Sequence, residues 1–266
     1  MNKKEINAVF IATPHSAHAE QIVSSLKAGK NVFVEKPLAI SEQELMTIIE
    51  TKLNHNQLLT VGFNRRFAPL SLAINDEFKN ISEPLVINIR VNAGLIPKDH
   101  WTQIPEIGAG RIIGEMCHFI DLMQYFTNAE PVKVYAECIA SGNTKIKSDD
   151  NIAIVIRFSN GSIGNLSYVA NGDKSMPKEF IEVFGAGKAA SIDNFLAGSI
   201  YSGNKIKRLK SSGKGHKQEV DAFLTALIEG KDAPISFRSV CLTTITTFKI
   251  IDSLYTGLPQ QIELDV

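Results

Sequence analysis

A carboxylate, an ammonium and a proline, Glu35-Lys36-Pro37, follow directly on the apolar run Val32, Phe33, Val34. The run reads as a short strand buried on both faces. Open α/β sheets bind ligands just beyond the carboxyl ends of such strands, so Glu35 and Lys36 stand where chemistry is expected. Pro37 fixes its own φ and keeps Lys36 out of the helical region. A solvated ion pair at a strand end explains the same three residues taken alone. A second stretch carries Glu115, His118 and Asp121, each three residues from the next. On a helix they share one side, with His118 between two carboxylates. That arrangement suits proton transfer, because an imidazole titrates near neutrality and is readily tuned. A satisfied core histidine fits equally. His118 and Asp121 give a metal only two ligands and no third is evident, so no metal site is expected.

The elements that would position these groups follow from hydrophobic spacing. Residues 6–12 and 58–63 read as two more buried strands. Ala19, Ile22, Val23 and Leu26 recur at helical spacing and end at Gly29, a C-terminal cap. Ser41 and Glu44 form a capping box ahead of Leu45, Ile48, Ile49 and Leu53. Strand, helix, strand, helix, strand makes two βαβ units and a parallel sheet. Three polar clusters then meet at one sheet edge: residues 13–18, 35–37 and 64–66. For Arg65 and Arg66 in the last of these, ordinary exposed arginines remain an equal reading.

Beyond Phe67 the pattern changes. A helix is expected over residues 69–78, then a strand over 85–91 with Leu85, Ile87, Ile89 and Val91 on one face. The helix bearing His118 is expected over 110–126. Residues 132–209 read as a run of strands in a mainly antiparallel sheet. Within it Asn160-Gly161 marks a hairpin, residues 185–187 mark another turn, and 200–209 add a ragged edge strand. Two amphipathic helices close the chain. Sheets of this kind often leave one face for a partner.

Composition excludes several classes. Lys plus Arg equals Asp plus Glu at 28 each, so no charge excess points to nucleic acid or an anionic membrane. Lys3, Lys4 and the five apolar residues that follow at 8–12 are too short for a signal core, and no run approaches a membrane helix. The cysteines, Cys117, Cys138 and Cys241, are widely spaced and suit a reducing cytosol, so a cytoplasmic protein is expected. The Gly-x-Gly-x-x-Gly turn of a dinucleotide-binding domain does not occur; Gly185 and Gly187 lack the third glycine.

The ordered set of motifs resembles the glucose–fructose oxidoreductase, inositol dehydrogenase and rhizopine-catabolism (Gfo/Idh/MocA) oxidoreductases. Its carriers are Ala12-Thr13-Pro14 with His18, Ala28-Gly29-Lys30-x-Val32 leading to Glu35-Lys36-Pro37, Val61-Gly62-Phe63-Asn64-Arg65-Arg66-Phe67, Trp101, and the helix from Gly110 to Asp121. The stretches at 90–94, 97–101 and 114–121 are most similar to the C-terminal part of two-part bacterial proteins with an alcohol-dehydrogenase-like first segment. The resemblance implies NAD- or NADP-dependent hydride transfer at a secondary alcohol or hemiacetal carbon of a sugar or cyclitol. It makes Lys36 the active-site lysine and His118 the acid or base. It turns Thr13, Pro14, His18, Glu35, Lys36, Pro37 and Trp101 toward the cofactor, and Asn92, Arg65 and Asp121 toward the substrate. Family members commonly carry Asp four residues before the histidine; here that position is Gly114, and the adjacent Glu115 is the substitute considered.

The fold expected is α/β: a partial Rossmann domain over 1–67, the C-terminal half of a doubly wound parallel sheet, then an α+β domain over 68–266 with a large, mainly antiparallel sheet. The sequence starts at what resembles the fourth Rossmann strand. NAD or NADP binding by this chain alone is therefore expected to be weak or absent. A sugar or cyclitol derivative is the expected partner, with a second copy docked through the large sheet. A non-catalytic scaffold that keeps only sheet-mediated association is the alternative, and a sugar-binding module without redox chemistry is a weaker one.

Overall fold

The computed structural model describes residues 3, 5–142, 147–211 and 213–264; Lys4, from the short leader-like start, lies outside them. Strands β1 (Ala8–Ile11), β2 (Asn31–Val34) and β3 (Leu59–Val61) form a parallel sheet in the order β1-β2-β3. Helices α1 (His18–Lys27) and α2 (Glu42–Leu53) make the crossovers. The first and third strands are shorter than hydrophobicity suggested, because their ends turn into the loops that carry the polar clusters. Helix α1 gives way to Gly29, whose φ of 70° is the left-handed value that glycine adopts freely. Ser41 Oγ accepts from the Glu44 amide at 3.2 Å, while Glu44 accepts from the Ile40 amide at 2.8 Å. The capping box thus reaches one residue further back than its usual form.

The rest of the chain builds one nine-stranded sheet. Its elements are α3 (Pro69–Phe78), β4 (Val86–Asn92), α4 (Cys117–Thr127), β5 (Pro131–Cys138), β6 (Ile152–Phe158), β7 (Ile163–Val169), β8 (Glu179–Gly185), β9 (Lys188–Asp193), β10 (Ala197–Ser202), β11 (Lys205–Lys210), α5 (His216–Glu229), α6 (Phe237–Thr256) and β12 (Gln260–Gln261). The strand order is β11-β10-β9-β8-β4-β7-β6-β5-β12. Strand β4 lies between β8 and β7, antiparallel to the first and parallel to the second, so the sheet is mixed. The single ragged strand expected over 200–209 is instead the hairpin β10–β11. It turns at Gly203-Asn204, which have φ of 56° and 60°, as a type I′ turn requires.

Alternation along the strands sorts the two faces. Ile87, Ile89 and Val91 of β4 and Ile154 and Ile156 of β6 face the layer that includes α4 and α6, in a core with Phe119, Leu122 and Ile250. Val86, Tyr135, Val155, Phe184 and Tyr201 point the other way and stay more than a third exposed. A second core joins α1, α2 and β2 to Ile113, Cys117, Val240, Cys241 and Phe248, so the small sheet is packed on the start of α4 and on α6. Phe223 of α5 meets Phe10 and Phe33 edge-on at 5.6 and 5.7 Å, covering part of the opposite face of the small sheet. Among the described residues no helix is long and apolar enough to cross a membrane.

Candidate active site at the strand ends

The loop after β1 is pinned from inside. His18 lies within hydrogen-bond distance of two carbonyls, Thr13 O at 3.0 Å through Nε2 and Pro37 O at 2.7 Å through Nδ1. Its fully buried ring therefore braces the loop after β1 against the loop after β2. Thr13 Oγ1 donates to Gln21 at 3.0 Å, and Pro14 leads into a single 3₁₀ turn, His15–Ala17. The Lys36–Pro37 bond is cis. Glu35 lies flat on Gly62, where a Cβ would come within 3.2 Å of its carboxylate. Lys36 Nζ leaves the small sheet and donates to Gly114 O at 2.8 Å, four residues before His118.

The expected stripe Glu115, His118, Asp121 does not form. Residues Ile112–Met116 make a π turn that runs into α4. The wider turn rotates Glu115 away from the α-helical register of the two residues beyond it. Its carboxylate accepts from Lys178 at 2.6 Å, from Arg111 at 3.4 Å and from the Tyr168 hydroxyl. Burial pushes Glu115 upward, but Lys178, Tyr168 and Arg111 together hold it at about 2. At neutral pH it is an anion held by three donors.

Arg65 and Asp121, expected at the substrate, are also taken up elsewhere. Asp121 is fully buried and accepts twice from Arg66. Arg65 donates to both oxygens of the buried Glu179, at 2.9 and 3.2 Å, with its guanidinium 4.8 Å over the Phe119 ring. Asn92 Nδ2 ties down the loop after β7 through Asp173 O and Met176 O, while its Oδ1 is buried without a partner. Trp101, 40% exposed, sets its ring against His15 at 5.0 Å and so overhangs the end of β1.

His118 lies on the helix that follows the carbonyl Lys36 reaches. Its ring is buried, edge-on to Phe63 at 6.1 Å, with Nδ1 lacking a partner among the described residues. Burial, then the charges of Arg65, Lys36, Lys178 and His216, hold His118 well below its ordinary value. At neutral pH it is an uncharged imidazole in the field of these cations.

Five residues here had no sequence signal of their own: His15, Arg111, Tyr168, Lys178 and Glu219. His15 alone lay in a flagged strand-end cluster. Glu219 of α5 is 2% exposed with Oε2 unpartnered; burial first, then Glu35 and Asp121, push it up to about 8. The folded chain therefore keeps a proton that the unfolded chain releases above its ordinary value of 4.5. Stability should fall as pH rises from about 4.5 to 8 and level off above that window. Glu219→Gln should flatten this slope and raise stability at pH 8, read from urea titrations at several pH values; an unchanged slope would remove Glu219 as its source.

Among the described residues no cluster of three His, Cys, Asp or Glu is arranged to hold a metal. The parallel strand ends face a helix that starts beside a large mixed sheet, the layout of a Rossmann-like sheet followed by a second, sheet-based part. Residues 1–63 match the description "Oxidoreductase family, NAD-binding Rossmann fold", and residues 79–190 match "GFO/IDH/MocA C-terminal domain". The chain belongs to the Gfo/Idh/MocA oxidoreductase family.

Oxidoreductase P35 of Formosa agariphila is 36% identical over 138 residues, covering 48% of this chain and 43% of that protein. The myo-inositol 2-dehydrogenase of Thermotoga maritima is 25% identical over 194 residues, covering 71% of this chain and 57% of that protein. The chain spans about half the length of the curated relatives it matches. A levoglucosan dehydrogenase solved with NADH and levoglucosan superposes with a TM-score of 0.86 at 19% identity, covering 99% of this chain and 82% of that one. That likeness is one of fold.

The strand ends suit the nicotinamide end of a dinucleotide. Glu35, at the end of β2, lies on Gly62, which leaves it room. For the phosphates these 266 residues offer no Gly-x-Gly-x-x-Gly turn.

Proposed function

We propose that this chain supplies the nicotinamide and substrate side of an NAD(P)-dependent oxidoreductase acting at a secondary alcohol or hemiacetal carbon of a sugar or cyclitol. Residues 1–67 then give the cofactor side and 68–266 the substrate side. The observation that carries the reading is the Lys36 ammonium, held 2.8 Å from Gly114 O at the start of the segment that bears His118. A nicotinamide held beside Glu35 and Lys36 would supply the hydride chemistry. Lys36 donates a hydrogen bond to the reacting oxygen and stabilises negative charge developing there. His118, uncharged at neutral pH, takes the hydroxyl proton as general base and returns it in the reverse direction. Burial around His118 excludes water from the transfer. The names of the relatives, inositol and levoglucosan dehydrogenases among them, support a polyol substrate.

The polypeptide of these 266 residues, tested by itself, should bind NADH and NADPH weakly and turn over no substrate. Strand β1 has no neighbour on its outer edge among the described residues, and Phe10 on it is 49% exposed. Such an edge pairs readily with another chain. A polypeptide bearing the glycine turn should restore binding and solubility together. Calorimetry that gives micromolar NADH affinity for the 266 residues alone would overturn this expectation.

The open face of the large sheet is the proposed site for a second copy. Val86 stands opposite Phe184, and Tyr135 opposite Val155, giving paired apolar side chains that stay more than a third exposed. Light scattering should show concentration-dependent association that Val155→Lys abolishes. A compact monomer at every concentration would remove the sheet face from the reading.

A further inference from the structure

One imidazole beside Lys36 has no part in the scheme above. His15 is 5% exposed, and its Nδ1 sits 2.7 Å from Gly108 O. A carbonyl oxygen only accepts, so Nδ1 carries the proton and Nε2 carries the lone pair. Nε2 has no hydrogen-bond partner among the described residues.

The ring is held from several directions. Trp101 meets it edge-on, and the Ser16 amide donates to Ile107 O at 3.0 Å, fixing the turn on the same loop that offers Gly108 O. Gly114 leaves the ring its room: a Cβ there would lie 2.9 Å from His15 Cε1. The ring thus occupies the place that a side chain at position 114 would need.

With Lys36, Thr102, Arg111, Gly114 and Glu115, His15 borders a pocket of about 60 Å³. That volume holds a few waters or one hydroxyl-bearing carbon. Its remaining polar groups are unequal. Glu115 already accepts from Arg111, Tyr168 and Lys178, and Arg111 can only donate. Nε2 of His15 is an acceptor at the pocket that no described residue occupies, and Lys36 is the donor that can turn to it from a backbone carbonyl.

We propose that His15 is a specificity-determining residue, whose Nε2 accepts a hydrogen bond from a substrate hydroxyl adjacent to the reacting carbon while Lys36 and Arg111 supply the donors. A hydroxyl matches one acceptor beside donors; a carbonyl or a methylene at that carbon does not. The substrate class is then a vicinal diol of a sugar or cyclitol. This inference rests on the polyol reading of the site.

The test uses the 266-residue chain labelled with ¹⁵N-histidine, with myo-inositol as the probe and cyclohexanol as the control. Burial holds His15 at about 4, and His118 is also uncharged at neutral pH, so both rings report as neutral tautomers there. Myo-inositol should shift Nε2 of His15 and the ring of His118, and cyclohexanol should leave His15 unmoved. His15→Phe keeps a ring beside Gly114 and removes the acceptor, and should weaken myo-inositol binding about three- to tenfold. Movement of His118 alone would overturn the role of His15 and leave the polyol reading standing. Movement of neither ring would overturn both. A folded His15→Phe chain that binds myo-inositol as tightly as the parent would also reject the proposal.

Discussion

Replacing Lys36 with alanine, in an assembly that also supplies a phosphate-binding half, should lower turnover by about 10²–10⁴-fold, the span of a positioned acid or base. Stability should change little. Lys36 is half-buried and makes one hydrogen bond, to Gly114 O, with no carboxylate paired to it among the described residues. The loss should appear in kcat more than in KM, because the ammonium acts on charge that develops at the reacting oxygen. Steady-state rates on a polyol substrate, with a thermal melt of the same sample, separate the two effects. Turnover within a few-fold of the parent would take Lys36 out of the mechanism.

The largest effect on stability should come from the ion pair of Arg65 and Glu179. Glu179 opens β8 with its side chain fully buried; it accepts from Arg65 at 2.9 Å and from Lys214 at 2.8 Å. Arg65 follows β3 of the small sheet, and Lys214 lies just before α5, so one carboxylate joins three parts of the fold. Burial pushes Glu179 upward, but Arg65 and Lys214 outweigh it and hold the group below its ordinary value. Its stabilisation is present above that ordinary value and is lost as pH falls through the lowered one. Glu179→Ala leaves the buried Arg65 guanidinium without its counter-ion and should cost about 3–5 kcal/mol at neutral pH. The pair Arg65→Met with Glu179→Leu removes both charges of the two-bond contact and should recover most of that loss. Urea titrations of the three proteins decide it; a single variant within about 1 kcal/mol of the parent would show that water reaches the pair.

The sequence determined whatever is written in neighbouring positions. Apolar runs and helical spacing placed β1 to β3 and their two crossover helices, because a strand or amphipathic helix shows its period within about ten residues. Gly29, Ser41 and Asn160-Gly161 fixed local ends and turns, since a cap or tight turn needs its own residue types. The parallel sheet followed from these. Gly203-Asn204 carried an equally local hairpin signal that the longer apolar pattern masked.

What only the tertiary structure decided lies in contacts between distant positions. Lys36 and Gly114 are 78 residues apart, His15 and Gly108 are 93, and Arg65 and Glu179 are 114. No spacing rule links such pairs, so their charges looked like free surface or substrate groups until the fold brought them together. The π turn at Ile112–Met116 has the same standing. It leaves the sequence pattern helical while rotating Glu115 toward Lys178 and Tyr168, where the carboxylate is a half-buried counter-ion. Side-chain direction depends on the turn the chain actually takes, and the groups Glu115 then meets, Tyr168 of β7 and Lys178, are remote in sequence from the helix itself.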